Sequence, residues 1–177
     1  MKYIFTTETQ NVQGHTLYRV KARRDFGNVK AGALGGFVER EENLSQEGAA
    51  WVSENAQVCG DAKVYGDAWV CGNAQVYGNA QVYGDAWVCG NAQVYGNARV
   101  YENAWIYGNA QVYRNAQVCG NVQVCGNARV YENAHVYEDA WVYGNAQVCG
   151  NAQVYGNAQV YGDAWIYGNA WISGNVR

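Results

Sequence analysis

Histidine is almost missing: His15 and His135 are the only two in 177 residues. Few side chains are therefore suited to proton transfer near neutral pH. No Cys-x-x-Cys pair or Cys/His grouping has zinc spacing, so neither a metal nor another cofactor is expected. Positive charge is also in short supply. The net charge is −3, which argues against broad affinity for nucleic acid. Apolar residues make up 49 % of the chain, yet no run of them is long enough to span a membrane. The opening MKYIFTTETQ has no apolar core of a secretory signal, so a cytoplasmic protein is expected. Amphipathic-helix and heptad patterns are absent too. A chain with 22 glycines and a period of six makes neither a helical bundle nor a coiled coil.

What is present is repetition. Val64–Ala80 and Val82–Ala98 both read VYGDAWVCGNAQVYGNA, 18 residues apart and identical. Within each copy a hexad recurs: Ala, a variable residue, Val, Tyr or Cys, Gly, then Asn or Asp. Ala and Val alternate with variable residues, as on a strand with one buried face. Gly with Asn or Asp then turns the chain, because these residues tolerate left-handed backbone angles. Short strands joined by tight corners predict an all-β solenoid.

Tryptophan sets the number of sides. Trp51, Trp69, Trp87 and Trp105 recur every 18 residues, and the series continues through Gln123, Trp141 and Gln159. Like residues every third hexad mean three sides per coil. Side one carries this Trp column, with Ser53, Cys71, Cys89, Tyr107, Cys125, Tyr143 and Tyr161 two residues later. Side two carries Gln57 through Arg129 to Trp165, beside a Tyr series. Side three carries Lys63 through His135 to Trp171, again with Tyr. The central apolar residue falls every six positions from Val52 to Ile172, giving seven regular coils. With strands about 4.8 Å apart, the prism is roughly 30 Å long. Val122 replaces the inward corner Ala and is expected to bulge its coil slightly.

Residues 1–35 lack the hexad. Lys2–Thr7 and Thr16–Ala22 read as two strands of a β-hairpin around a polar turn, Glu8–His15. Arg23–Gly36 reads as an irregular connector. The division expected is an N-terminal cap and connector, 1–35, and a solenoid, 36–177. An exposed solenoid end needs a cap, and the hairpin supplies one.

All six cysteines occupy the outward place after the central apolar residue, and only Cys71 and Cys89 stack on adjacent coils of one side. They read as free thiols. Basic residues come with a Glu three positions later, in Arg99 with Glu102, Arg129 with Glu132 and His135 with Glu138. These read as surface ion pairs, with Arg114 and Glu132 stacked at one corner.

The uninterrupted AxVYGN hexads resemble the left-handed parallel β-helix of hexapeptide-repeat proteins. With the leader TLYRVKARRDFGNVKAGALGGFVEREENLSQEG they resemble a bacterial and prophage group provisionally labelled as acyltransferases. The resemblance implies left-handed coiling and a bacterial host cell. It also raises acyl transfer, for which His135 is the weak catalytic candidate. Acyltransferases of this kind typically shape a pocket with a loop extruded between coils; these hexads run without insertion. The preferred expectation is therefore a non-catalytic binding or assembly protein. Trp51, Trp69, Trp87, Trp105 and Trp141 would meet a host protein or a small flat ligand, in a sequestering, counter-defence role. A filament-forming structural protein is a third reading.

Trp165, Trp171 and Ile172 depart from the repeat on the last coil and mark an expected homodimer interface. Light scattering should show an oligomer that the Trp165→Gln/Trp171→Gln double variant dissociates. A monomeric wild type refutes this, and an oligomer broken only by Trp87→Gln moves the contact to the Trp column.

Overall fold

Three parallel sheets enclose one continuous apolar core in this computed structural model, which describes residues 1–177. After strands β1 (Tyr3–Val12), β2 (His15–Ala22) and β3 (Leu34–Val38), short strands repeat from β4 (Trp51–Val52) to β24 (Trp171–Ile172). Sides one and three hold seven strands each, and side two continues through β3 into the hairpin as a ten-stranded sheet. Register follows the 18-residue step: Val88 lies between Val70 and Ile106, and Val64, Val82 and Val100 share one sheet.

Each inward position serves one packing role. The strand-centre Val and corner Ala residues are fully buried through almost the whole prism. Outward residues form like-on-like ladders. Gln57, Gln75, Gln93 and Gln111 join amide to amide at 3.0–3.2 Å. Tyr77, Tyr95, Tyr113 and Tyr131 stack at 4.8–5.0 Å between ring centres. In-register parallel strands bring identical side chains together, and such contacts add to the backbone ladder.

Corners turn through left-handed glycine, as at Gly72 (φ 69°) and Gly90 (φ 71°). Glu102, Arg114, Glu132 and Glu138 take the same place with φ of 60–64°. A non-glycine residue there costs on the order of 1–2 kcal/mol. The expected pairs of Arg99, Arg129 and His135 with a Glu three positions later do not form. The corner directs Glu132 and Glu138 along the prism instead, and each carboxylate accepts the backbone N–H one coil on, from Gly150 (2.7 Å) and Gly156 (2.8 Å). The Arg114–Glu132 stack does form, at 2.9 Å. Before Val122 the corner loses its hydrogen-bonded turn and Gly120 opens to φ 84°, the local distortion that the larger side chain demands.

The N-terminal segment is more ordered than its sequence suggests. The polar turn is only Gln13–Gly14, both with positive φ, so Glu8–Val12 continues strand β1. The connector ends in β3, which pairs antiparallel with β2 and parallel with β5 (Gln57–Val58). A boundary at 35/36 therefore cuts a strand, and Tyr3, Val20, Ala22 and Val29 join the solenoid core. Lys2 is buried, donates to the carbonyls of Ala50 (2.8 Å) and Glu47 (3.2 Å), and lies over the Phe26 ring. Burial pulls its pKa down to about 8. At the other end of the hairpin, His15 Nδ1 lies 3.0 Å from Glu39 Oε1, while Glu39 Oε2 accepts the Gly60 N–H at 2.7 Å. Burial opposes ionisation of Glu39, but these two hydrogen bonds hold its pKa below the ordinary 4.5.

Six cysteines do not all remain thiols. Cys71 and Cys89 form a disulfide, because in-register stacking on side one sets their Cα atoms 4.6 Å apart; Cys59, Cys119, Cys125 and Cys149 are free.

Two outcomes follow from these contacts. A Cβ on Gly72 would meet the Gly90 backbone N and O at 2.9 Å, whereas one on Gly168, of equal φ, meets nothing within 4 Å. Urea melts should therefore show Gly72→Ala costing about 1–3 kcal/mol more than Gly168→Ala; equal costs would mean that backbone angle alone matters. The depressed Glu39 pKa gives stability that is full above 4.5 and lost as pH falls through the folded value. The melting-temperature deficit of Glu39→Gln at neutral pH should accordingly shrink as pH drops below 4.5, and a pH-independent deficit contradicts the linkage.

Candidate functional site

Side one is built unlike the other two. Its strands present Trp before the inward residue and Cys or Tyr after it, so two columns run parallel along one face. Trp69, Trp87 and Trp105 stack with centres 6.1 and 5.4 Å apart. The strands β10 (Trp87–Val88) and β13 (Trp105–Ile106) set the columns on either side of a groove.

This groove has a volume of ≈ 420 Å³ and is lined by Trp87, Cys89, Trp105, Ile106, Tyr107 and Gln123. Gln123 stands where the Trp series breaks and closes one end, its Oε1 accepting the Tyr107 hydroxyl at 3.0 Å. The Tyr107 pKa is pushed up to about 12 by a hydrogen bond with Cys125 and by burial, so the phenol stays protonated. From Gly66 to Asn145 no Lys or Arg lies on side one or at its corners, whereas Asp67, Asp85, Glu102, Glu138 and Asp139 do. The arrangement suits stacking and van der Waals contact with something flat, with one polar contact at the closed end.

The residues singled out from sequence are thus divided. Trp87 and Trp105 line the groove, and Trp69 continues their stack while half-buried. Trp141 is exposed but stands apart, beyond Gln123. Trp51 is not part of any exposed ridge: it is only 2 % accessible. The N-terminal segment covers it, with Tyr3 and Phe26 packed edge-on at 6.4 and 5.3 Å. Trp165 and Trp171 lie on two edge strands and are largely exposed; Trp165 Nε1 donates to Cys149 Sγ, and Trp171 meets Tyr155 edge-on. Ile172 is half-buried against the core.

His135 occupies β18 (His135–Val136) on side three, between Gln117 and Gln153 of neighbouring strands, and its ring has no hydrogen-bond partner in the chain. The oriented histidine is His15, held by Glu39 beside a cleft of ≈ 320 Å³ that Cys59, Asp61, Tyr77 and Asn79 also line. Sequence reasoning missed this pair because the antiparallel pairing of β2 with β3 joins residues 24 apart, for which no local pattern exists. The groove had a visible signal in the Gln123 break, but not its second wall.

No curated protein is significantly similar in sequence. A crystal structure from Bacillus cereus, that of a provisionally named acetyltransferase, aligns over 73 % of this chain and 70 % of its own, with 8 % identity and a TM-score of 0.35. At that level nothing about its activity transfers. The family model for the YdcK beta-solenoid repeat matches residues 56–72, 74–90, 92–108, 104–120, 122–138, 146–162, 152–168 and 158–174. These matches cover more than half of the chain and fall on the coils that carry the aromatic groove, so the protein belongs to the YdcK beta-solenoid repeat family.

Proposed function

We propose that this protein is a non-catalytic binding protein whose Trp side holds a small flat ligand. One observation carries the reading: the groove of ≈ 420 Å³ between Trp87/Trp105 and Cys89/Tyr107, closed at one end by Gln123. A stacked column costs little conformational entropy on binding, because its rings are already ordered. The volume is that of a small-molecule site. Sequestration of such a ligand in a bacterial host cell fits a chain that presents a preformed surface. A host protein seated on the same columns is the competing occupant.

Acyl transfer is the second reading, and the His15–Glu39 pair favours it, since a carboxylate on Nδ1 orients a histidine for proton transfer. The acidic Glu39 and Asp61 near that cleft count against a polyphosphorylated acyl donor.

Calorimetric titration with quinoline tests the binding reading. Trp105→Gln should weaken binding by about ten-fold, roughly 1.4 kcal/mol, and His135→Ala should leave it unchanged. Indifference to Trp105→Gln contradicts the reading. Acetyl-CoA turnover that is lost in a folded His15→Ala or His135→Ala variant would establish the enzymatic one.

A further inference from the structure

Gln123 is the one amide that lines the groove. In the Gln ladder of side two each amide is used by the next, but Gln123 interrupts a Trp column and has no Gln neighbour above or below. Its Oε1 is occupied by the Tyr107 hydroxyl. In that contact the Tyr107 O–H donates to Oε1, which leaves the amide Nε2 as the unused group. No acceptor in the chain meets Nε2. Gln123 lines the groove, so its unpartnered N–H donors are within reach of a ring held there. Charge narrows the ligand further. No cation on side one or its corners answers a phosphate or carboxylate, and the acidic Asp85 and Glu102 at the corner before Trp87 and Trp105 repel one.

We propose that the groove selects a planar heteroaromatic that carries no negative charge and has a hydrogen-bond acceptor, a ring nitrogen or carbonyl, on the edge that meets Gln123 Nε2. This rests on the binding reading above and adds its ligand class. Trp87 and Trp105 supply the aromatic wall, Ile106 lies at the base, and Gln123 supplies an amide donor. An acceptor left without this donor would forfeit a hydrogen bond on leaving water, so ring systems of equal shape are distinguished by that one atom.

The test uses three probes of one bicyclic shape on the full chain: quinoline, neutral with a free ring nitrogen; N-methylquinolinium, cationic with that nitrogen blocked; and naphthoate, anionic. Calorimetry should rank quinoline first by about ten-fold over either charged probe. Gln123→Glu replaces the donor with a carboxylate of similar shape. It should cost quinoline about ten-fold and favour N-methylquinolinium, while Gln159→Glu, farther along the same column, should do neither. Gln123→Leu should show the same quinoline loss, and serves if the Glu variant does not fold. A charged probe binding as tightly as quinoline, in a Trp105-dependent way, overturns the ligand class and leaves the groove reading standing. An unchanged quinoline affinity in Gln123→Leu does the same. Failure of all three probes to bind overturns both.

Discussion

The structure depends on one hydrogen-bond step: a backbone N–H donates to the carbonyl 17 residues later, as in Trp69 to Ala86 and Cys71 to Val88, both 2.9 Å. This step recurs along all three sides and sets each coil in register on the next. Because parallel neighbours share register, a column of identical residues in sequence becomes a column in space. Val on Val and Ala on Ala fill the interior, while Gln, Tyr and Asn ladders form outside. A single 18-residue unit could not bury its own apolar face; stacking supplies the core.

The corners show how far the repeat can be altered. Glycine is the ordinary solution because the turn needs positive φ and the next coil lies close. Glu132 and Glu138 accept an unfavourable angle and recover part of its cost through a charge-assisted bond to the following corner. Glu39 uses the same device at the joint with the hairpin, taking the Gly60 N–H while holding His15. The hairpin is thus tied to the prism at both ends, by Lys2 on the Ala50 carbonyl and Tyr3 on the Leu44 carbonyl, and by Glu39 between His15 and the Gly60 N–H.

An aromatic side on a rigid prism differs from the Tyr and Gln sides in how its rings are used. Tyr ladders on sides two and three are continuous over several coils, so their faces are occupied by one another. On side one the Trp stack stops at Trp105, next to Gln123, and the column opposite changes from a disulfide to Tyr107. Irregularity in an otherwise uniform array is what produces a concave, partly polar feature. The acidic corners around it, with no cation nearby, favour stacking and a neutral partner over recognition of an anion.

The 18-residue period was enough to determine three sides, the inward Val and Ala, and the column to which every outward residue belongs. Those follow from the sequence because each contact joins residues at a constant separation, so local periodicity encodes the tertiary neighbour. The Arg114–Glu132 stack and the distortion at Val122 were legible for the same reason. Tertiary structure decided whatever lacks that period. The fold-back of residues 1–35 buries Trp51, extends side two through Leu34–Val38 and brings His15 to Glu39. Side-chain direction at the corners sends Glu132 and Glu138 to the next coil rather than to Arg129 and His135. The Cys71–Cys89 bond required two thiols to point at each other, and the groove required two columns to stand apart over Ile106. Column membership is a matter of counting; side-chain direction and the packing of a non-repeating segment are set by sterics in three dimensions.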